Sequence, residues 1–406
     1  MAVNLKVPEV LHPVPGVRLG VAEAAIKKPG RKDLLLIELV PGTQVAGVFT
    51  RNAFCAAPVQ LCREILGAGR AVRALLVNAG NANAATGQAG RDDARQTMTA
   101  TAVALGCETD AVLPFSTGVI GQRLPVARML EAIPRAAQDL RADGWLDAAR
   151  AIMTTDTLPK GSTRQVMTSQ GRVTVTGIAK GVGMICPDMA TMLAFIGTDA
   201  RLGAATTRQL LREVVGQTFN CVTVDGDTST NDACMLFATG RAGTAEIAQG
   251  DADYAAVREA VLAVATELAQ AIVRDGEGAT KFITVEVCDA RDTDEARKVA
   301  YAVAHSPLFK TAMFASDANW GRIIMAIGKA GVENLDPAAV SVALDDLVLI
   351  ERGEPHPDYR EALGAAVVAR PEFSVCIRLG RGTAGTRIWT CDLSYDYVKI
   401  NAEYRT

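Results

Sequence analysis

The stretch Lys180-Gly181-Val182-Gly183-Met184-Ile185-Cys186-Pro187-Asp188-Met189-Ala190-Thr191-Met192-Leu193 carries the residue types needed for acyl transfer. Two glycines permit backbone conformations closed to other residues, and Pro187 restrains the chain that follows. The small Ala190 then leads into the hydroxyl of Thr191 at the start of an apolar run. A threonine so placed can attack its own preceding carbonyl, an N-to-O acyl shift that cuts the Ala190–Thr191 bond. The α-amine released by the cut is a natural base for that hydroxyl, because α-amino groups titrate at about 7.7–8.0, close to working pH. The same pattern also describes an ordinary glycine turn entering a core strand, which is the commoner use of such residues.

Other routes to this chemistry are narrow. The chain has three histidines, His12, His305 and His356, which excludes a histidine-rich metal centre. His12 and His356 each precede a proline and read as loop residues, so a Ser-His-Asp triad would have to rest on His305. An N-terminal threonine nucleophile explains how so histidine-poor a chain could transfer acyl groups.

Composition removes further classes. With 406 residues there is ample chain for a large core, and 49% hydrophobic with 21% charged residues reads as soluble and globular. A net charge of -3 gives no bulk electrostatic case for nucleic acid or an anionic membrane, and 5% aromatics leave few platforms for stacking bases. The longest apolar candidate, Ala260–Val273, is interrupted by Glu267 and falls short of the roughly 18 residues a span needs. Nine cysteines form no CxxC pair, and Met1-Ala2-Val3-Asn4-Leu5-Lys6 lacks a secretory pattern. The expectation is a cytoplasmic enzyme with buried, reduced thiols.

Three familiar motifs fail on context. Gly380-Arg381-Gly382-Thr383-Ala384-Gly385 matches GxGxxG, but Thr386–Thr390 reads as a strand where a dinucleotide site needs a helix. Asp225-Gly226-Asp227-Thr228-Ser229 begins like a calcium loop, yet Thr230 replaces the turn glycine and Leu236 the closing glutamate. Gly328-Lys329 lacks the rest of a P-loop.

Around these residues, strand and helix patterns alternate. Strands are expected at Leu34–Val40, Ala46–Arg51, Ala74–Val77, Leu193–Ile196, Phe282–Val287, Val340–Ile350, Phe373–Leu379 and Arg387–Leu393. A hairpin joins Gln165–Thr168 to Arg172–Thr176 through Ser169-Gln170-Gly171. Helices are expected at Arg91–Leu105, Val126–Leu140, Thr206–Val215, Ala252–Val273 and Tyr359–Val368. Hairpins mixed with helices imply an α/β fold of mixed sheets covered by helices. The weakest joint is Asp275-Gly276-Glu277-Gly278, after which, from about residue 280, a smaller C-terminal α/β segment begins.

The processing-site segment resembles that of the ornithine acetyltransferase (glutamate N-acetyltransferase) family, and the resemblance runs along nearly the whole chain. It includes Ile26–Asp33, Val48–Asn52, Asn78-Ala79-Gly80-Asn81-Ala82-Asn83, Ser116-Thr117-Gly118-Val119-Ile120-Gly121 and Met153-Thr154-Thr155-Asp156-Thr157. It continues through Asp275–Lys281, Asp317-Ala318-Asn319-Trp320-Gly321-Arg322 and the closing Tyr397–Thr406. One departure is Ser316, where the family pattern leads one to expect glycine.

The resemblance implies a layered αββα-like core and a self-cleaved chain: an alpha fragment of residues 1–190 and a beta fragment of 191–406 beginning with the nucleophile Thr191. It implies a ping-pong reaction in which Thr191 takes acetyl from N-acetylornithine and passes it to glutamate, within arginine biosynthesis. Thr117 and Gly118 match the oxyanion hole. Thr157, Lys180, Thr191, Glu277, Asn401 and Thr406 match the substrate contacts. Lys180 could hold a substrate carboxylate or depress the pKa of the neighbouring α-amine, and Glu277 suits the side-chain ammonium of ornithine. No metal or organic cofactor is implied, and acetyl-CoA enters only if glutamate is also acetylated directly. The two fragments are expected to pair into an α2β2 assembly. The rival readings are a self-processing aminopeptidase or amidase of the same fold, and a catalytically silent binding protein.

Overall fold

The computed structural model describes residues 2–186 and 192–403. Ala190, Thr191 and Thr406 lie outside these described residues. The chain forms two compact units, a larger one of residues 6–220 and 227–272 and a smaller one of 1–5, 221–226 and 273–406.

The larger unit contains, in chain order, β1 (Val17–Ala22), β2 (Leu34–Leu39), β3 (Gln44–Phe49), α1 (Ala57–Gly67), β4 (Ala74–Asn81), α2 (Gly87–Leu105), β5 (Val112–Val119), α3 (Val126–Gln138), α4 (Trp145–Ala151), β6 (Lys160–Thr168), β7 (Gly171–Lys180), β8 (Leu193–Thr198), α5 (Ala204–Gln217), β9 (Ala233–Ala238) and α6 (Ala252–Arg274). One sheet has the order β1-β2-β4-β5 and the other β3-β9-β8-β7-β6. Both are mixed: β4 and β5 run parallel, as do β8 and β9, while the remaining pairs are antiparallel.

The two sheets pack face to face. Phe115 of β5 meets Phe195 of β8 edge-on at 5.1 Å, and Trp145 stacks on Phe237 of β9 at 6.5 Å. Alternation along β7 explains the next layer outward. Ile178 points into the inter-sheet core, whereas a Cβ on Gly177 would lie 2.9 Å from Leu268 and 3.0 Å from Val264 of α6. On the far side α3 comes so close to β1 that a Cβ on Gly20 would lie 2.0 Å from the Ala136 carbonyl oxygen. Helices therefore cover the outside of both sheets, the expected α/β arrangement of mixed sheets clad in helices.

The smaller unit contains β10 (Phe282–Ala290), α7 (Thr293–Ala304), α8 (Pro307–Phe314), α9 (Trp320–Gly328), β11 (Ser341–Leu344), β12 (Leu347–Glu351), β13 (Glu354–Pro355), α10 (Glu361–Val368), β14 (Glu372–Arg378), β15 (Ala384–Cys391) and α11 (Tyr395–Ala402). Its sheet has the order β13-β12-β11-β14-β10-β15. Side-chain caps start α7, α8 and α9: Asp292 accepts from the Glu295 N–H, Ser306 from Phe309 and Asn319 from Arg322. The strand expected over Val340–Ile350 is instead the hairpin β11–β12. Asp345, at φ 49°, turns the chain in the middle of the apolar run. Ser316 adopts φ 55° just past the end of α8, a left-handed conformation that glycine enters at less cost, which accounts for the glycine expected there. The GxGxxG segment turns directly into β15, as its strand-like sequel implies.

No helix among the described residues is long and apolar enough to cross a membrane. Cys62, Cys221, Cys234 and Cys391 are buried, but Cys288 is exposed and the other four cysteines are half-buried, so only part of the thiol set lies in the core.

Candidate active site

β4 and β5 end side by side in polar residues that are nevertheless buried. Asn78 Nδ2 donates to Ser116 Oγ at 2.6 Å, and Asn231 Nδ2 donates to the carbonyls of Ser116 at 2.9 Å and Ala82 at 2.6 Å. These bonds satisfy groups that would otherwise oppose burial, and they fix the ends of both strands. Thr117 and Gly118 follow Ser116 on that fixed frame. Gly118 has φ 134°, and a Cβ there would lie 2.3 Å from the Gly80 carbonyl carbon and 2.6 Å from the Asn81 nitrogen. Only glycine fits.

Lys180 closes β7, is 6% exposed, and donates from Nζ to Thr117 Oγ1 at 3.0 Å. A hydroxyl that accepts from a lysine can turn its own hydrogen elsewhere, toward an incoming oxygen. The structure thus joins Thr117 and Gly118 of one motif with Lys180 of another in one place.

Asp156 completes the cluster. Its Oδ1 accepts from Lys160 Nζ at 2.7 Å and from the Gly181 N–H at 2.8 Å, while Oδ2 accepts from the Thr154 N–H at 3.0 Å. The side chains of Asp156 and Lys160 have no solvent exposure. Burial alone would raise the Asp156 pKa. The charges of Lys160 and Lys180, with the bonds from Gly181 and Lys160, outweigh it and hold the carboxyl well below the usual range. Asp156 is therefore an anion that fixes the backbone immediately after Lys180 and offsets its charge. Sequence reading passed over it in favour of Thr157, which is exposed beside it. The available signal was an acid four residues before a lysine, a spacing also common on solvated surfaces.

In the smaller unit, Asp275-Gly276-Glu277-Gly278 follows α6 directly. Glu277 is 8% exposed, and its Oε2 accepts from Asn401 Nδ2 at 2.9 Å. Asn401 also donates to the Tyr397 carbonyl at 3.0 Å, which ties it to its own helix α11. Ser394, at the head of that helix, donates to the Gly278 carbonyl at 2.6 Å. Glu277 and Asn401, both expected as substrate contacts, are thus brought together. His305 caps the end of α7 with its ring 5.1 Å from that of Tyr301. Burial, helped by the charge of Lys310, pushes its pKa down to about 4, so it is neutral at physiological pH.

Comparison with known proteins shows the family of the chain. The ArgJ family profile matches residues 18–406. The chain is 55% identical to the arginine biosynthesis bifunctional protein ArgJ of Methylococcus capsulatus over 396 residues, covering 98% of this chain and 97% of that one. It is also similar to the crystal structure of the arginine biosynthesis bifunctional protein ArgJ of Bacillus halodurans, at 39% identity and a TM-score of 0.50, covering 52% of this chain and 99% of that chain. On the profile and the near-complete, 55% identical relative, the chain belongs to the ArgJ family.

Proposed function

We propose that the chain cuts itself between Ala190 and Thr191, and that Thr191 then carries an acetyl group from N2-acetyl-L-ornithine to L-glutamate. As an ArgJ protein it is an acyltransferase of arginine biosynthesis acting on small molecules. The observation that carries the residue roles is the 3.0 Å hydrogen bond from buried Lys180 to Thr117 beside Gly118.

In this reading the α-amine of Thr191 removes the proton from its hydroxyl, and the alkoxide attacks the acetyl carbonyl. The Thr117 hydroxyl and the Gly118 N–H receive the oxyanion, a charge that exists only on the way to and from the acetyl-enzyme. Ornithine leaves with the proton, glutamate's amine attacks the ester, and the same donors serve the second half-reaction. Glu277, steadied by Asn401, takes the side-chain ammonium of ornithine, while Thr157 and Thr406 complete the substrate contacts. The reaction needs no metal or organic cofactor, with acetyl-CoA as a possible second donor. The fragments of residues 1–190 and 191–406 stay together, pair as α2β2 and work in the cytoplasm.

Intact mass under denaturing conditions, with N-terminal sequencing, tests the first step. Fragments of 190 and 216 residues are expected, the second beginning Thr-Met-Leu-Ala. Acetyl transfer from acetylornithine to glutamate should then exceed release of free acetate. A single uncut chain, or acetate as the main product, would overturn the reading.

A further inference from the structure

Asp232 lies one residue before β9 and is 2% exposed. Neither of its carboxyl oxygens has a hydrogen-bond partner among the described residues. The Met192 N–H and the hydroxyls of Ser229 and Thr50 face the carboxyl, and the charge of Lys180 acts on it, but none closes to hydrogen-bond geometry. Thr50 commits its hydrogen to the Ser229 carbonyl at 2.7 Å, and the Ser229 hydroxyl is anchored by accepting from the Asn231 N–H at 3.1 Å. The local frame therefore stands without the carboxyl. A buried polar group with no partner costs stability, and at this position an amide or an apolar residue would cost less.

The strand register gives the carboxyl a use. β8 and β9 pair in parallel with Leu193 opposite Ala233, and the Ala233 N–H donates to the Met192 carbonyl at 3.0 Å. Asp232 is thereby level with Met192, whose N–H faces it. The nitrogen of Thr191 is three covalent bonds from that of Met192, within about 4 Å by bond lengths alone. The one new polar group that self-cleavage creates on this side of the cut is that nitrogen, as a free amine.

We propose that Asp232 is the proton relay of self-cleavage, giving a proton to the Thr191 nitrogen as the Ala190–Thr191 bond breaks and taking one from the Thr191 hydroxyl. The inference rests on Thr191 being the nucleophile. The Thr191 Oγ–Ala190 carbon bond forms and the carbon–nitrogen bond breaks. One carboxyl oxygen gives its proton to the departing nitrogen while the other accepts the hydroxyl proton. The carboxyl ends as it began, no net charge is created in a buried place, and water then hydrolyses the ester to free the Ala190 carboxylate and the Thr191 hydroxyl. Such a relay requires the neutral acid. Burial raises the Asp232 pKa well above the usual range, against the opposing Met192 N–H, Lys180 charge and two hydroxyls.

The test follows the intact mass of full-length Asp232→Asn and Asp232→Glu with time, beside Thr191→Ala. Asparagine keeps the size of the side chain but cannot relay a proton. Its precursor should persist, with cleavage slowed by about a hundredfold or more, while its melting temperature equals or exceeds that of the parent. Glutamate should recover at least tenfold over asparagine. Cleavage of Asp232→Asn within threefold of the parent would overturn the relay, as would a lowered melting temperature with no rescue by glutamate. Thr191→Ala separates the two ideas. If that variant is still cut, the nucleophile reading itself fails; if it stays whole while Asp232→Asn is cut normally, only the relay fails.

Discussion

Replacing Thr117 by alanine removes one of the two proposed oxyanion donors, and the structure sets what this should cost. An oxyanion-hole donor is worth about 2.7–4 kcal/mol in the transition state, so kcat should fall roughly 10²–10³-fold. KM should hardly move, because the donor meets a charge that the bound ground state does not carry. A second, separable cost arises because Lys180 Nζ donates to this hydroxyl at 3.0 Å in a site where both residues are buried. A charge-assisted bond of this kind contributes about 1.5–3 kcal/mol, and Asp156 remains to offset the lysine charge, which favours the lower figure. At about 2–4 °C per kcal/mol for larger domains, the melting temperature should drop by about 3–6 °C. Thr117→Val has the same shape without the hydroxyl and should lose as much rate as alanine, whereas Thr117→Ser keeps it and should stay within about tenfold of the parent. Steady-state acetyl transfer, measured on protein shown by mass to be cut, separates these outcomes. A fall in kcat of less than threefold, or a loss confined to KM, would refute the assignment of Thr117.

Two further outcomes are expected. Asp156→Asn breaks a fully buried ion pair and should cost about 3–5 kcal/mol in chemical or thermal melts at neutral pH. Because the folded-state pKa of Asp156 is depressed, its contribution is present above the usual carboxylate pKa and is lost as pH falls through the lower folded value. The gap between parent and variant should therefore be widest near neutrality and shrink in strong acid, and a gap that widens in acid would contradict the assignment. Glu277→Gln keeps an acceptor for Asn401 but removes the charge, so KM for acetylornithine should rise about 10–100-fold with little change in kcat; an unchanged KM would remove Glu277 from ornithine binding.

Much of the fold could be read from the sequence wherever apolar periodicity was uninterrupted. Leu34–Leu39 and Ala252–Arg274 announce themselves, and Ser169-Gln170-Gly171 marks the β6–β7 hairpin. Reading stopped where burial depends on partners instead of on residue type. The strand expected at Ala74–Val77 stops where the apolar run gives way to Asn78-Ala79-Gly80-Asn81. Yet all four residues are buried, since Asn78 pairs with Ser116 and the ladder with β5 continues beside them. β5 itself was missed because Pro114, Ser116, Thr117 and Gly118 obscure its pattern, and the short run Ala233–Ala238 fits strand and helix alike. Thr117, Gly118 and Lys180 were named through family resemblance, and it is the pairing of distant strands that brings them together.

The charged residues around Lys180 show most sharply why the remainder was hidden. Asp156 and Asp232 are both buried aspartates acted on by the same lysine, yet they are pushed in opposite directions. Asp156 has Lys160 at 2.7 Å and two backbone N–H groups, enough to overcome burial and keep it an anion. Asp232 has donors that face it without closing, so burial wins and pushes its pKa up. The letter in the sequence is the same in both cases. What separates an anchor for the lysine from a proton carrier is the number of donors within about 3 Å, and that number is set by strand register: β7 delivers the Gly181 N–H to Asp156, while β8 against β9 brings Asp232 level with Met192 and leaves its oxygens open. A one-residue slip of β8 against β9 would set Asp232 beside a different residue, so the proposed relay is a property of the sheet as much as of the aspartate.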